Sequence, residues 1–345
     1  MHVSDLPPEL LYRILELAVE GLPPSLRVRS EILRNFSTVG PSWREPAQIL
    51  LESKVQIACY STARKWIDRP RRLERNVIVD ELELLYDFNP EDDAFYPLTE
   101  WVLKSLLSHE TLIVRSLHLR SALFINAFDT SLLLLPAFRH LRHLRLEMPI
   151  EPPTGGTAVP IALSRLSLSE MMDQPIELFE TVLSNSRDTL VSLHLFVIKG
   201  GSPLHQRVLD VLPNLPHTLR HLSISSHWIS LPETLLRFVT SCRALTTLCL
   251  AGIDFSQVLY LATAVSSPIL AFEFTVPSSL QWTVEAAVTT IDHLLLLSNF
   301  SRVREITITQ RIDSKSGTTP ARFQDYRGQQ LCKCTFERTL RRALP

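Results

Sequence analysis

A chain of 345 residues, 45% hydrophobic and 21% charged, can bury a large core and divide into more than one domain. Its formal net charge of −1 lacks the basic excess that counterion-driven binding to DNA or RNA demands, so no nucleic-acid partner is expected. The start has no leader-like basic stretch or cleavage site, no apolar run reaches membrane-span length, and five cysteines (Cys59, Cys242, Cys249, Cys332 and Cys334) follow no regular spacing. These features predict a reduced, soluble protein of the cytoplasm, the nucleus or both, with no membrane partner.

The first predicted element is "LPPELLYRILELA", from Leu6 to Ala18. Pro7 and Pro8 lack amide donors and suit only the opening turn of a helix, where Glu9 sits near the positive end. Leu10, Leu11, Ile14, Leu15 and Ala18 then read as one apolar stripe. Gly21 and the pair Pro23-Pro24 stop this helix. A second apolar run comes next, with Ile32, Leu33, Phe36 and Val39, and then "GPSWREPAQILLESKV", so three short helices are predicted. A module this small cannot cover Leu6, Pro7, Ile14, Leu17, Val39 and Trp43 from within, and some of them are expected to meet a partner.

Over about residues 3 to 52 these segments resemble the F-box. The likeness is carried by Leu6, Pro7, Glu9 and Leu10, by Ile14 and Leu15 one turn on, and by Val39 four residues before Trp43 with Arg44 after it. The resemblance implies a partner, the Skp-family adaptor, and through it the cullin ligase core. It also implies an adaptor-binding set of Leu6, Pro7, Leu10, Ile14, Leu15, Val39 and Trp43. Trp43 and the Leu6-Pro7 corner are the expected anchors, because buried aromatics tend to dominate interfaces. The plainer alternative is a helical cap on a solenoid.

Beyond the module the sequence repeats itself. "LRHLRL" at 141 to 146 returns as "LRHLSI" at 219 to 224, and the same spacing of apolar residues, i, i+3 and i+5, occurs nine times. Its central residues are Leu82, Leu117, Leu144, Leu166, Leu193, Leu222, Leu248, Phe272 and Ile306, separated by 22 to 35 residues. Positions i+3 and i+5 share one face of a strand, while the residue between them faces the other way. Helical periods lie between the strands, as in "IELFETVLSNSRDTL" from 176 with Phe179, Val182 and Leu183, and in the segment after Ser230, three residues before Glu233 in a capping-box spacing.

From about 77 to 310 the chain resembles the leucine-rich-repeat family. The ladder-forming Asn or Cys of that family is replaced, by Ile253 in one strand and His227 in another, so an irregular solenoid is expected. The fold class is therefore α/β, a three-helix F-box-like module leading into parallel strands with outer helices. The expected divisions are 1–70 for the module and a linker helix, 71–310 for the solenoid, and 311–345 for a polar tail with a short helix from Leu331. Strand alternation puts Glu83, His118, Arg145, Ser167, His194, Ser223, Cys249, Glu273 and Thr307 on the strand face away from the core, where a target protein would bind.

No enzymatic signature accompanies this pattern. The nine glycines make no phosphate loop, no nucleophile elbow is present, and the histidine pairs His140/His143 and His217/His221 lack the carboxylate or cysteine spacing of a metal site. A non-enzymatic binding protein without cofactor or metal is expected. Its expected role is the substrate-recognition subunit of an SCF-type ubiquitin ligase, with a plain repeat scaffold as the alternative. Two basic runs, "RPRRLER" at 69 to 75 and "RTLRRALP" at 338 to 345, read as solvated surface, the first with some capacity for phosphate.

Overall fold

The computed structural model describes residues 6–20, 26–67, 77–86, 100–108, 110–121, 127–148, 150–151, 160–169, 180, 182–197, 204–226, 233–253, 255–276, 284–313 and 329–337. The basic runs at 69–75 and 338–345, the capping residue Ser230, Phe179 and His227 lie outside them. The chain is α/β, with a helical N-terminal segment and parallel strands, and it divides into two compact units, Met1–Ile161 and Ala162–Pro345. The predicted helical module shares the first unit with the strands next to it in the chain.

In the first unit, helices α1 (Pro8–Glu20), α2 (Leu26–Val39) and α3 (Pro41–Ser53) lead straight into strand β1 (Lys54–Ile57). Helix α4 (Tyr60–Ile67), strands β2 (Val77–Val79) and β3 (Glu81–Tyr86), and helix α5 (Glu100–Leu107) come next. Strands β4 (Leu112–Val114), β5 (Ser116–Ser121), β6 (Phe128–Asp129), β7 (His143–Glu147) and β8 (Ile150–Glu151) complete it. β1, β3, β5 and β7 are parallel neighbours in that order, with Leu82 opposite Leu117 and Leu117 opposite Leu144.

The second unit repeats the scheme with β9 (Arg165–Ser169), β10 (Ser192–Val197), helices α6 (Leu204–Val211) and α7 (Leu215–Thr218), and β11 (His221–Ser226). After these come α8 (Glu233–Ser241), β12 (Thr247–Ala251), α9 (Phe255–Ala264), β13 (Ala271–Val276), α10 (Val284–Leu295), β14 (Glu305–Asp313) and β15 (Gln329–Glu337). β9 to β14 pair in parallel and in chain order, and Leu166, Leu193, Leu222, Leu248, Phe272 and Ile306 form one register row. The strand order does not close into a barrel.

The repeated apolar positions are the core. Val79, Val114, Leu141, Leu163, Leu190, Leu219, Leu245, Ile269 and Val303 open the nine motifs, and all are buried, as are the central residues. Each such side chain removed from water contributes on the order of 1.5 to 3 kcal/mol before chain entropy is counted. Phe272 packs edge-on against Phe300, ring centroids 5.5 Å apart.

Side-chain hydrogen bonds link successive loops. Thr189 Oγ1 donates to Leu163 O at 2.7 Å, Thr218 Oγ1 to Leu190 O at 3.1 Å, and Thr246 Oγ1 to Arg220 O at 3.1 Å. Ser267 Oγ donates to Cys242 O at 2.5 Å, and Asn299 Nδ2 to Val265 O at 2.9 Å. Each of these side chains thus satisfies a carbonyl of the loop one motif earlier, through a hydroxyl in four cases and the Asn299 amide in the fifth.

The tail departs from expectation. Gln329–Glu337 is a strand paired antiparallel with β14, Leu331 opposite Arg311, where a polar tail with a helix from Leu331 was predicted. The sequence "CKCTFE" alternates Cys332, Cys334 and Phe336 with Lys333, Thr335 and Glu337, a period of two that suits a strand better than a helix. Among the described residues no helix is long and apolar enough to cross a membrane.

Candidate functional site

The helical module positions the first candidate surface. Its core is Leu11, Leu15, Val19, Leu33, Trp43, Ala47 and Leu50, with Leu6, Tyr12, Ile32, Phe36 and Leu51 packed around it. The Pro7 carbonyl accepts from the Leu10 and Leu11 amides and so starts α1 at the expected place. Arg29 of α2 reaches the end of α3, donating to Leu50 O at 3.1 Å, and burial lowers the pKa of its guanidinium. A cation at a helix C-terminus satisfies carbonyls that have no partner within the helix.

Two members of the predicted adaptor set are not on the surface. Leu15 is fully buried, and Trp43 is 8% exposed, its indole stacked on Phe36. The predicted stripe on α1 splits because successive residues turn by about 100°. Leu11, Leu15 and Val19 face α2 and α3, whereas Leu10, Ile14 and Leu17, spaced i, i+4 and i+7, face outward at 52%, 41% and 54% exposure. Pro7 and Pro8 are exposed beside them and Leu6 is half-buried. Val39, at the end of α2, is 64% exposed. Leu17, expected from the sequence to lie uncovered but left out of the adaptor set, belongs to the outward row on the same spacing.

The second candidate surface is the row between the paired apolar positions. Register places Gln56, Glu83, His118 and Arg145 side by side in the first unit. It aligns Ser167, His194, Ser223, Cys249, Glu273 and Thr307 in the second. The register thus aligns these residues in one row within each unit, in which Glu83 and Thr307 are buried.

Its chemistry differs between the two. In the first unit Gln56 Nε2 donates to Glu83 Oε2 at 2.8 Å. His118 stands between two carboxylates, Nδ1 at 3.5 Å from Glu83 and Nε2 at 3.4 Å from Glu147. Arg145 Nε donates to Glu147 at 2.7 Å, and Arg120 Nε lies 3.5 Å from the same carboxylate. Burial alone would raise the Glu147 carboxyl, but the facing His118 and the Arg145 guanidinium outweigh it and hold it down at about 2. Sequence pattern alone does not single out Glu147 and Arg120, although they continue the same alternation past the motif.

In the second unit the row is small and weakly charged. Cys249 Sγ lies 3.8 Å from Glu273 Oε2, and burial with that carboxylate's charge pushes its thiol up to about 12. Such a thiol stays protonated and is a poor nucleophile. Thr307 is buried, its hydroxyl 3.2 Å from Glu305. Among the described residues no group of three His, Cys, Asp or Glu side chains could hold a metal. Neither the models of known protein families nor the curated proteins match this chain.

Proposed function

We propose that this chain is the substrate-recognition subunit of an SCF-type ubiquitin ligase, an F-box protein whose strands belong to a degenerate leucine-rich-repeat solenoid. The outward face of α1, with Leu10, Ile14 and Leu17 beside the Pro7 corner, docks on the Skp-family adaptor. In each unit the strand row meets the target, with His118 and Arg145 in the first and Ser167, His194, Ser223, Cys249 and Glu273 in the second, whereas Thr307 is buried. The observation that carries this reading is the exposed α1 row: the module already has a packed core, yet three large apolar side chains on one helical face stay 41 to 54% exposed. Water-exposed apolar rows of this kind are a recurrent mode of helix recognition.

The test is co-expression with a Skp-family adaptor. Wild type is expected to co-purify with it, and Leu10→Asp or Ile14→Asp to lose it while remaining folded. Failure of the wild type to co-purify leaves the second reading, a scaffold with a helical cap. One observation favours that alternative: α3 ends at Ser53 and β1 begins at Lys54, so the module is built directly onto the first strand of the sheet.

A further inference from the structure

One edge of the second unit gathers arginines that, among the described residues, no carboxylate pairs with. Strands β9 to β14 are parallel, so the residues that open or immediately precede them lie along one sheet edge. Arg165 opens β9, and Arg220 and Arg304 immediately precede β11 and β14, while Arg187, Arg243 and Arg302 lie five, four and three residues before β10, β12 and β14. All six are exposed, and among the described residues none is ion-paired. Asp188 and Glu305 are the only carboxylates in the same short segments. His221, at the start of β11, has its pKa lowered by burial and then by Arg165 and Arg220, which places these groups close enough to repel a proton.

The corresponding positions of the first unit are compensated. Arg115, before β5, pairs with Asp80, before β3, at 2.9 Å, and Lys54 pairs with Glu81 at 3.1 Å. Keeping unpaired like charges along one edge costs self-repulsion, which an anionic partner would relieve.

We infer that the strand-start edge of the second unit binds an extended acidic segment of a partner protein. Neighbouring strands lie about 4.8 Å apart, so Arg165 and Arg220, two strands apart, are separated by about 10 Å, and Arg220 and Arg304, three apart, by about 14 Å. An extended polypeptide advances about 3.4 Å per residue, so alternate carboxylates, about 7 Å apart, come within reach of successive guanidinium forks. A polypeptide fits better than a nucleic acid: the chain as a whole carries −1, and the described residues of the edge offer no exposed aromatic on which bases would stack. Only the additional step, that the segment belongs to the protein captured for ubiquitination, rests on the proposed function.

The experiment uses the full chain and a fluorescein-labelled oligoglutamate peptide, monitored by anisotropy at low and raised salt. Binding is expected at low salt and weakens as salt rises. The triple variant Arg165→Gln/Arg220→Gln/Arg304→Gln is expected to lose roughly tenfold or more in affinity. Arg237→Gln, on α8 and paired with Glu233, is expected to change nothing. If the triple variant melts early, Arg220→Gln and Arg304→Gln are measured singly, each expected to weaken binding by roughly threefold. Absence of wild-type binding, affinity untouched by these substitutions, or stronger binding of an oligothymidylate of equal charge would overturn the inference. Leu10→Asp separates the two proposals, because it removes adaptor binding and leaves peptide affinity intact.

Discussion

The Trp43 indole stacks on Phe36 with ring centroids 5.6 Å apart and planes 13° from parallel. The ring that the sequence offers as an interface anchor is thus a core residue of its own module, where α2 packs on α3. Trp43→Ala is expected to destabilise the module by about 3 to 5 kcal/mol, the usual cost of emptying a large aromatic site. Urea unfolding monitored by circular dichroism measures it. A loss below about 1 kcal/mol would mean that the indole packs elsewhere in solution.

Leu10 and Ile14 should behave in the opposite way. Their side chains are 52% and 41% exposed, outside the packed core, so Leu10→Asp and Ile14→Asp are expected to shift unfolding free energy by no more than about 1 kcal/mol. Both should nevertheless remove adaptor co-purification, since an unpaired carboxylate in an apolar interface carries a desolvation penalty. The pairing of unchanged stability with lost association separates a docking face from a structural one. An unfolded Leu10→Asp protein would show instead that the row is covered.

Whether a periodic pattern could be read from the sequence depended on whether it had one solution. The i, i+3, i+5 spacing has one, because only a strand puts i+3 and i+5 on the same side. All nine central residues from Leu82 to Ile306 accordingly lie on strands and are buried. On α1 the apolar residues fill a wider arc than one neighbour can cover. The sequence could not say which part faced inward, and Leu15 and Ile14, adjacent in sequence, went opposite ways. The arginine edge was hidden for another reason: apart from Arg302 and Arg304 its members are 22 or more residues apart, and they come together only when parallel strands align their starts.

Gly252 has φ 72°, and its amide donates to Thr275 O at 3.0 Å as the chain leaves β12. Left-handed backbone costs a residue with a Cβ about 1 to 2 kcal/mol relative to glycine. Gly252→Ala is therefore expected to lower stability by about that amount in thermal or urea melts. No change at all would place the residue at negative φ in solution.

Glu147 makes the acid side of the stability curve informative. Its carboxyl is held at about 2, below the ordinary 4.5, so the folded state binds this proton less readily than the unfolded chain. The resulting stabilisation is fully present above about pH 4.5 and fades as pH falls towards 2. With the side chain 26% exposed and partly screened, its size is on the order of 2 kcal/mol. Glu147→Gln should therefore be less stable than wild type at pH 7, with the gap closing between pH 4.5 and 2. The comparison must be made at constant ionic strength, because Arg145 and Arg120 on the same carboxylate are exposed enough for salt to weaken them. A gap that stays constant down to pH 2 would mean that the Glu147 charge contributes nothing, and that His118 and Arg145 hold this part of the sheet face by packing alone.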